Sequence, residues 1–161
     1  MLGMVASLSL LAVGARELSE EHGPFELLVA RHSIALIILL PFVQLNNFNL
    51  ARTQHFVLHF FRNTSHLAAT AGWFLAIGLL PLAEVFAIEF TTPIWVAVFA
   101  TLFLKEKINR GRIIALILGM VGILVILRPG FNVIGLGSLI MLASAVGFAI
   151  TNTCTKALTR Y

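Results

Sequence analysis

The 161-residue chain has no aspartate, one cysteine, one tyrosine and only 18 charged residues, 11 Lys or Arg and 7 acidic. Each scarcity excludes something. A soluble domain of this size carries about 25% charged residues, so the 11% found here argues against a water-exposed globule. Cys154 has no partner within the chain, which removes a disulfide scaffold and says nothing of an oxidising compartment. The absence of Asp weighs against intramembrane enzymes that cluster His, Asp or Glu at an interface. There is no Gly-rich phosphate loop, no Ser/His/Asp set and no Cys/His pair, so neither hydrolytic nor nucleotide-driven chemistry is expected. Of the five histidines, His22, His55 and His59 are expected at the interface, and His32 and His66 lack carboxylate or thiol companions at ligand spacing; no metal site and no cofactor are expected.

What is present is apolar. Hydrophobic residues make up 59% of the chain, 13 are Phe, and the mean hydropathy is +0.97. A chain this short lacks the interior to hide so many apolar side chains from water, so the expectation is an all-α polytopic transmembrane helix bundle. The net charge of +4 belongs with loop Lys and Arg that orient membrane helices rather than with nucleic acid.

A helix needs about 20 mostly apolar residues to cross the bilayer core. Apolar runs between charges and turn residues predict six spans, near 1–16, 24–43, 63–81, 83–104, 111–128 and 135–156. The first lacks a basic leader, and Val13-Gly14-Ala15 is a poor cleavage site, so it reads as a span rather than a signal peptide. Pro24 opens the second span, Pro81 ends the third and Pro129-Gly130 closes the fifth. Leu80-Pro81-Leu82 makes the third and fourth an antiparallel hairpin. The long link from Gln44 to Arg62, with Asn46, Asn47 and Asn49, is expected at the interface.

Basic residues divide unequally between the two faces. Arg52, Arg62, Lys105, Lys107, Arg110, Arg112, Lys156 and Arg160 fall on one side; Arg16 and Arg128 fall on the other. The basic-rich side is then cytoplasmic, with the N-terminus inside.

The middle spans carry a recognisable pattern: Leu80-Pro81-Leu82-Ala83-Glu84, Phe90-Thr91-Thr92-Pro93-Ile94-Trp95, Leu104-Lys105-Glu106-Lys107, Gly119-Met120-Val121-Gly122 and Leu127-Arg128-Pro129-Gly130. In order and spacing this resembles the EamA repeat of the drug/metabolite transporter superfamily over residues 16–130, with Arg31 matching an arginine early in the second helix and Arg62 one before the third. Lys105 departs from the pattern, standing where the family commonly has a small residue such as Gly.

The resemblance implies ten helices in two inverted five-helix repeats around a central cavity. On that basis residues 1–130 are the first repeat, and 131–161 a loop and the first helix of the second, so the chain is expected to be a fragment. It implies a multi-pass protein of the cytoplasmic (inner) membrane that moves small organic metabolites or drugs by gradient-driven alternating access, with export the commoner direction, and not an enzyme. The alternatives are a short half-transporter working as a homodimer and a non-transporting membrane partner.

Six residues stand out as candidates for the substrate pathway. Glu89 is a carboxylate inside the fourth span, costly there without a partner. Pro93, four residues on, has no N–H for the Glu89 carbonyl, so a kink should expose carbonyl and carboxylate at one level. Arg31 lies seven residues into the second span, roughly 10 Å deep, level with Glu89; an Arg31–Glu89 ion pair is therefore expected. Trp73 and Trp95 lie mid-span rather than in interfacial belts, where indoles can pack against a neighbour or wall a site for flat or cationic solutes. Asn152, among Thr151, Thr153 and Thr155, gives the sixth span a polar end. Ala115, Gly119 and Gly122 form a small-residue face suited to close helix packing.

Overall fold

The computed structural model describes residues 2–19, 21–45, 55–127 and 135–159. It is all-α, with no strand among the described residues. The helices are α1 (Leu2–Leu18), α2 (Pro24–Leu45), α3 (Phe56–Leu79), α4 (Leu82–Glu89), α5 (Thr92–Leu104), α6 (Arg110–Leu127) and α7 (Leu136–Leu158). The expected fourth span is kinked: α4 and α5 form one path, Leu82–Leu104, with a two-residue turn at Phe90-Thr91. Counted together, six helical segments cross the bundle. Three of them, Pro24–Leu45, Leu82–Leu104 and Leu136–Leu158, are long and apolar enough to span a membrane.

α3 begins seven residues before the expected start at 63, because His55, His59, Arg62 and Asn63 end an apolar run without ending a helix. The expected interfacial link therefore shortens. Its Asn46, Asn47, Asn49 and Arg52, the Pro129-Gly130 stop and Arg160 lie outside the described residues.

The largest interface joins α3 to α7, which run antiparallel. Small residues permit it: a Cβ added at Gly147 would lie 2.9 Å from the Ala69 Cβ, and one at Gly137 2.9 Å from Leu80 Cγ. Four hydroxyls in this seam bond within their own helices, whereas Arg62 Nε and His66 Nδ1 are buried without a partner among the described residues. Thr70 donates to the His66 carbonyl, Ser144 to Ile140, Thr151 to Gly147 and Thr153 to Ala149, the hydroxyl back-bonding that membrane helices tolerate.

The densest packing lies at the end of the bundle where α1 and α3 finish and α2, α4 and α7 begin. Ala12, Leu28, Trp73, Ile77, Val85 and Met141 are buried there. Outward faces of α2 and α6 expose Ile34, Leu36, Ile37, Ile114, Ile117 and Leu118, a surface suited to lipid. In that solvent, close packing and interhelical hydrogen bonds hold helices together, since lipid tails are as apolar as Leu.

Arg16 supplies such a bond. Its Nη1 donates to the carbonyls of Ile77 and Leu80, both at 2.6 Å. The Ile77 carbonyl would ordinarily accept from residue 81, but Pro81 has no N–H. The guanidinium of α1 thus satisfies the end of α3 that the hairpin proline leaves open.

At the opposite end of α5, Lys105 adopts a left-handed conformation (φ 53°, ψ 32°), and its N–H caps the Ala100 carbonyl. Glu106 N–H reaches the same carbonyl at 3.2 Å. Here is a physical reason for a small residue such as Gly at this position: the helix stop requires positive φ, which Gly adopts without a Cβ clash. Glu106 then pairs with Lys156 of α7, joining the α5–α6 turn to the end of the bundle.

The small face of α6 does not pack as expected. A Cβ at Gly119 or Gly122 would meet nothing within 4 Å. Together with Ala115 these glycines border a shallow cleft facing Phe90, Pro93 and Ile94. Close approach among the described glycines belongs to Gly137 and Gly147 on α7 and to Gly72 on α3, where an added Cβ would meet the Ser144 hydroxyl.

Candidate functional site

The kink between α4 and α5 shapes the site. Four residues before Pro93, the Glu89 carbonyl faces a nitrogen without hydrogen, and the helix tightens: Thr91 N–H bonds back three residues to the Ile88 carbonyl at 3.0 Å. Thr91 Oγ1 donates to that same carbonyl at 2.7 Å rather than capping α5. The expected kink takes the form of a local tightening over Phe90 (φ −64°, ψ −7°) and Thr91 (φ −73°, ψ −18°), both still right-handed helical, with Pro93 in the first turn of α5, where it is tolerated.

Beside the kink is a cavity of about 540 Å³ lined by Phe86, Glu89, Phe90, Thr92, Pro93, Val96, Phe148 and Asn152. Its volume falls in the range of small-molecule sites, roughly 300–1,000 Å³. Three of the six sequence candidates, Glu89, Pro93 and Asn152, meet on it. α4 and α5 deliver the first two. α7 brings Asn152 and Phe148, four residues apart and so on one helix face.

Trp73 belongs to the site indirectly. Its Nε1–H donates to Glu89 Oε2 at 2.9 Å, and the ring is buried against Phe74 with centroids 5.4 Å apart. Among the described residues Glu89 Oε1 has no hydrogen-bond partner, and Glu89 lines the cavity.

The expected Arg31–Glu89 pair does not form. Arg31 instead borders a separate cavity of about 370 Å³ with Leu10, Leu27, Ala30 and Phe74, between α1, α2 and α3. Equal depth does not give equal azimuth: α2 packs on α3, and the buried indole of Trp73 reaches the carboxylate first. Trp95 lies half-buried on α5 with its Nε1–H unpartnered, and it does not line the Glu89 cavity. Aromatic walls come from Phe86, Phe90 and Phe148, which mid-span position alone does not distinguish from other phenylalanines. Among the described residues no three His, Cys or Glu side chains gather as a metal would require.

A bundle of apolar helices, three of them long and apolar enough to span a membrane, is that of a multi-pass helical membrane protein. Residues 1–128 match the model of the EamA-like transporter family, and the chain belongs to that family.

Among its relatives, the riboflavin transporter of Brucella anthropi is 32% identical over 131 residues, 81% of this chain and 46% of that protein. The S-adenosylmethionine uptake transporter of Rickettsia bellii is 26% identical over 132 residues, 82% and 45% respectively. The riboflavin transporter of Vibrio cholerae is 25% identical over 135 residues, 83% and 45%. The chain spans about half the length of these relatives. Their names, like the family's, are those of transporters and not of enzymes. No solved structure matches the chain.

Proposed function

We propose that this chain forms the solute-binding half of a transporter that takes up small organic molecules across a membrane by alternating access. The observation that carries this reading is the proline-kinked α4–α5 helix with its cavity and carboxylate. A proline that frees a backbone carbonyl at membrane depth is tolerated where protein or a water-filled path surrounds the freed group. Glu89 lies seven residues into its span, about 10 Å at 1.5 Å per residue, below the headgroups.

Export was the direction implied by family resemblance. The Rickettsia bellii relative is named for uptake, and uptake is the direction proposed here. Riboflavin and S-adenosylmethionine are the first solutes to try, carried over from the relatives' names. In this reading α7 is the first helix of a second, inverted repeat, and the N-terminus and the Lys105–Arg112 turn are cytoplasmic. An ion gradient rather than ATP supplies the energy, since the sequence holds no phosphate-binding loop.

Radiolabelled riboflavin and S-adenosylmethionine offered to vesicles reconstituted with the protein test the reading. Accumulation of either above that of empty vesicles, dependent on an imposed ion gradient and lost in Glu89→Ala, is expected. Flux indistinguishable from empty vesicles for both would refute it.

A further inference from the structure

We infer that the Glu89 cavity selects a flat heteroaromatic ring carrying an N–H donor on its edge, and favours such a ring when it is positively charged. The inference rests on reading this cavity as the solute site and adds the chemistry that the site requires.

The walls set the shape of the solute. Phe86, Phe90 and Phe148 present three phenyl rings, and Pro93 and Val96 complete an apolar lining. A flat ring gains edge-to-face and offset contacts on such walls that a compact aliphatic solute of equal volume does not. A positive charge spread over the ring adds attraction to the phenyl faces. The volume of about 540 Å³ admits a fused two- or three-ring system.

The polar groups set its edge. Among the described residues no cationic side chain lines the cavity to neutralise an anionic solute, and Glu89 is the one carboxylate in the lining. Its Oε2 is already occupied by Trp73, which leaves Oε1 as the acceptor still without a donor among the described residues. A ring N–H would fill that vacancy, and a charged one would do so more strongly. A ring with only lone pairs at its edge would meet the carboxylate unfavourably. Asn152, across from α4 and α5, offers both a donor and an acceptor amide and suits the opposite, mixed edge of a heterocycle. Trp73 touches no solute in this arrangement; it is a positioning residue that fixes which carboxylate oxygen is left to accept.

The test uses purified protein in lipid nanodiscs, with empty nanodiscs as baseline, and three probes of similar shape. 9-Aminoacridine is flat, cationic and carries N–H donors; acridine is flat and donor-free at neutral pH; 9-anthracenecarboxylate is flat and anionic. We expect 9-aminoacridine to bind about tenfold more tightly than acridine, with the anion weakest. Glu89→Gln should reduce that preference to about twofold, and Trp73→Phe should erode it part-way while acridine affinity stays unchanged. A role for Trp73 in stability alone would weaken all probes together. Equal binding of 9-aminoacridine and acridine, failure of 9-aminoacridine to bind, or a preference that survives Glu89→Gln would each overturn the inference. If a variant fails to assemble, the ranking on the unmodified protein decides alone. Flux of some other solute without this ranking would sink the inference and leave transport standing; the ranking without any flux would do the reverse.

Discussion

The indole N–H of Trp73 donates to Glu89 Oε2 at 2.9 Å, across the hairpin that joins α3 to α4. A carboxylate in an apolar span is thereby held by a neutral donor instead of by a cation. This choice leaves the second oxygen available, whereas a two-pronged arginine would have occupied both.

A double-mutant cycle on this pair is the first prediction. Trp73→Phe and Glu89→Gln should each lower the melting temperature of the protein in nanodiscs. The coupling between them should be about 1.5–3 kcal/mol, the scale of a hydrogen bond to a charged group. Strictly additive losses would contradict the contact.

The second prediction concerns Arg16. Removing its guanidinium leaves the Ile77 and Leu80 carbonyls without their donor, so Arg16→Ala should cost about 1–3 kcal/mol. Pro81→Ala restores an N–H to the residue that Ile77 would ordinarily bond, and should recover part of that loss in the double variant. Denaturant titration of the four proteins reads both effects; a harmless Arg16→Ala would rule out the clamp.

Lys105→Gly should stabilise the protein by about 1 kcal/mol, because the left-handed turn at φ 53° then carries no Cβ penalty. The variant also removes a basic residue from the α5–α6 turn, so insertion and stability should be measured separately. A lower melting temperature would contradict the conformation seen there.

Two glycine substitutions should diverge. A methyl at Gly147 meets Ala69 at 2.9 Å, so Gly147→Ala should separate α7 from α3 and cost about 1–3 kcal/mol. Gly119→Ala enters open space and should be neutral or better, by up to about 1 kcal/mol from helix propensity. Proteolysis rates in nanodiscs would rank them; equal sensitivity would argue against the α3–α7 seam.

Orientation is checked by reporter fusion. A reporter active only in the cytoplasm should work when fused after Arg112 and fail after Pro129. The opposite pattern would invert the topology read from the basic residues.

Much of this protein was legible in one dimension because the bilayer is a one-dimensional constraint. Apolar run length, proline punctuation and the scarcity of charge locate spans along the chain, and they placed a carboxylate at depth in the fourth. They did not locate the start of α3, since a helix continues through His and Arg where it leaves the hydrocarbon. Nor did they show that the fourth span would tighten into a turn at Phe90-Thr91: a proline marks where a donor is lost, not how far the neighbouring backbone tightens in response.

Which residue meets Glu89 was beyond the sequence for a different reason. Depth follows from counting residues from the membrane edge, and on depth alone Arg31 and Glu89 are level. Contact depends also on how each helix is rotated about its axis and which helix lies beside it, and both are settled by packing. Gly147 against Ala69 lays α7 along α3 and carries Phe148 and Asn152 to the cavity; the hairpin at Pro81 sets α4 beside α3 and puts Trp73 within reach. The sequence by itself determined that a carboxylate would lie within an apolar helical span and how far along it. Only the tertiary structure decided that a tryptophan would hold it, because azimuth is a property of helices packed together and not of any one of them.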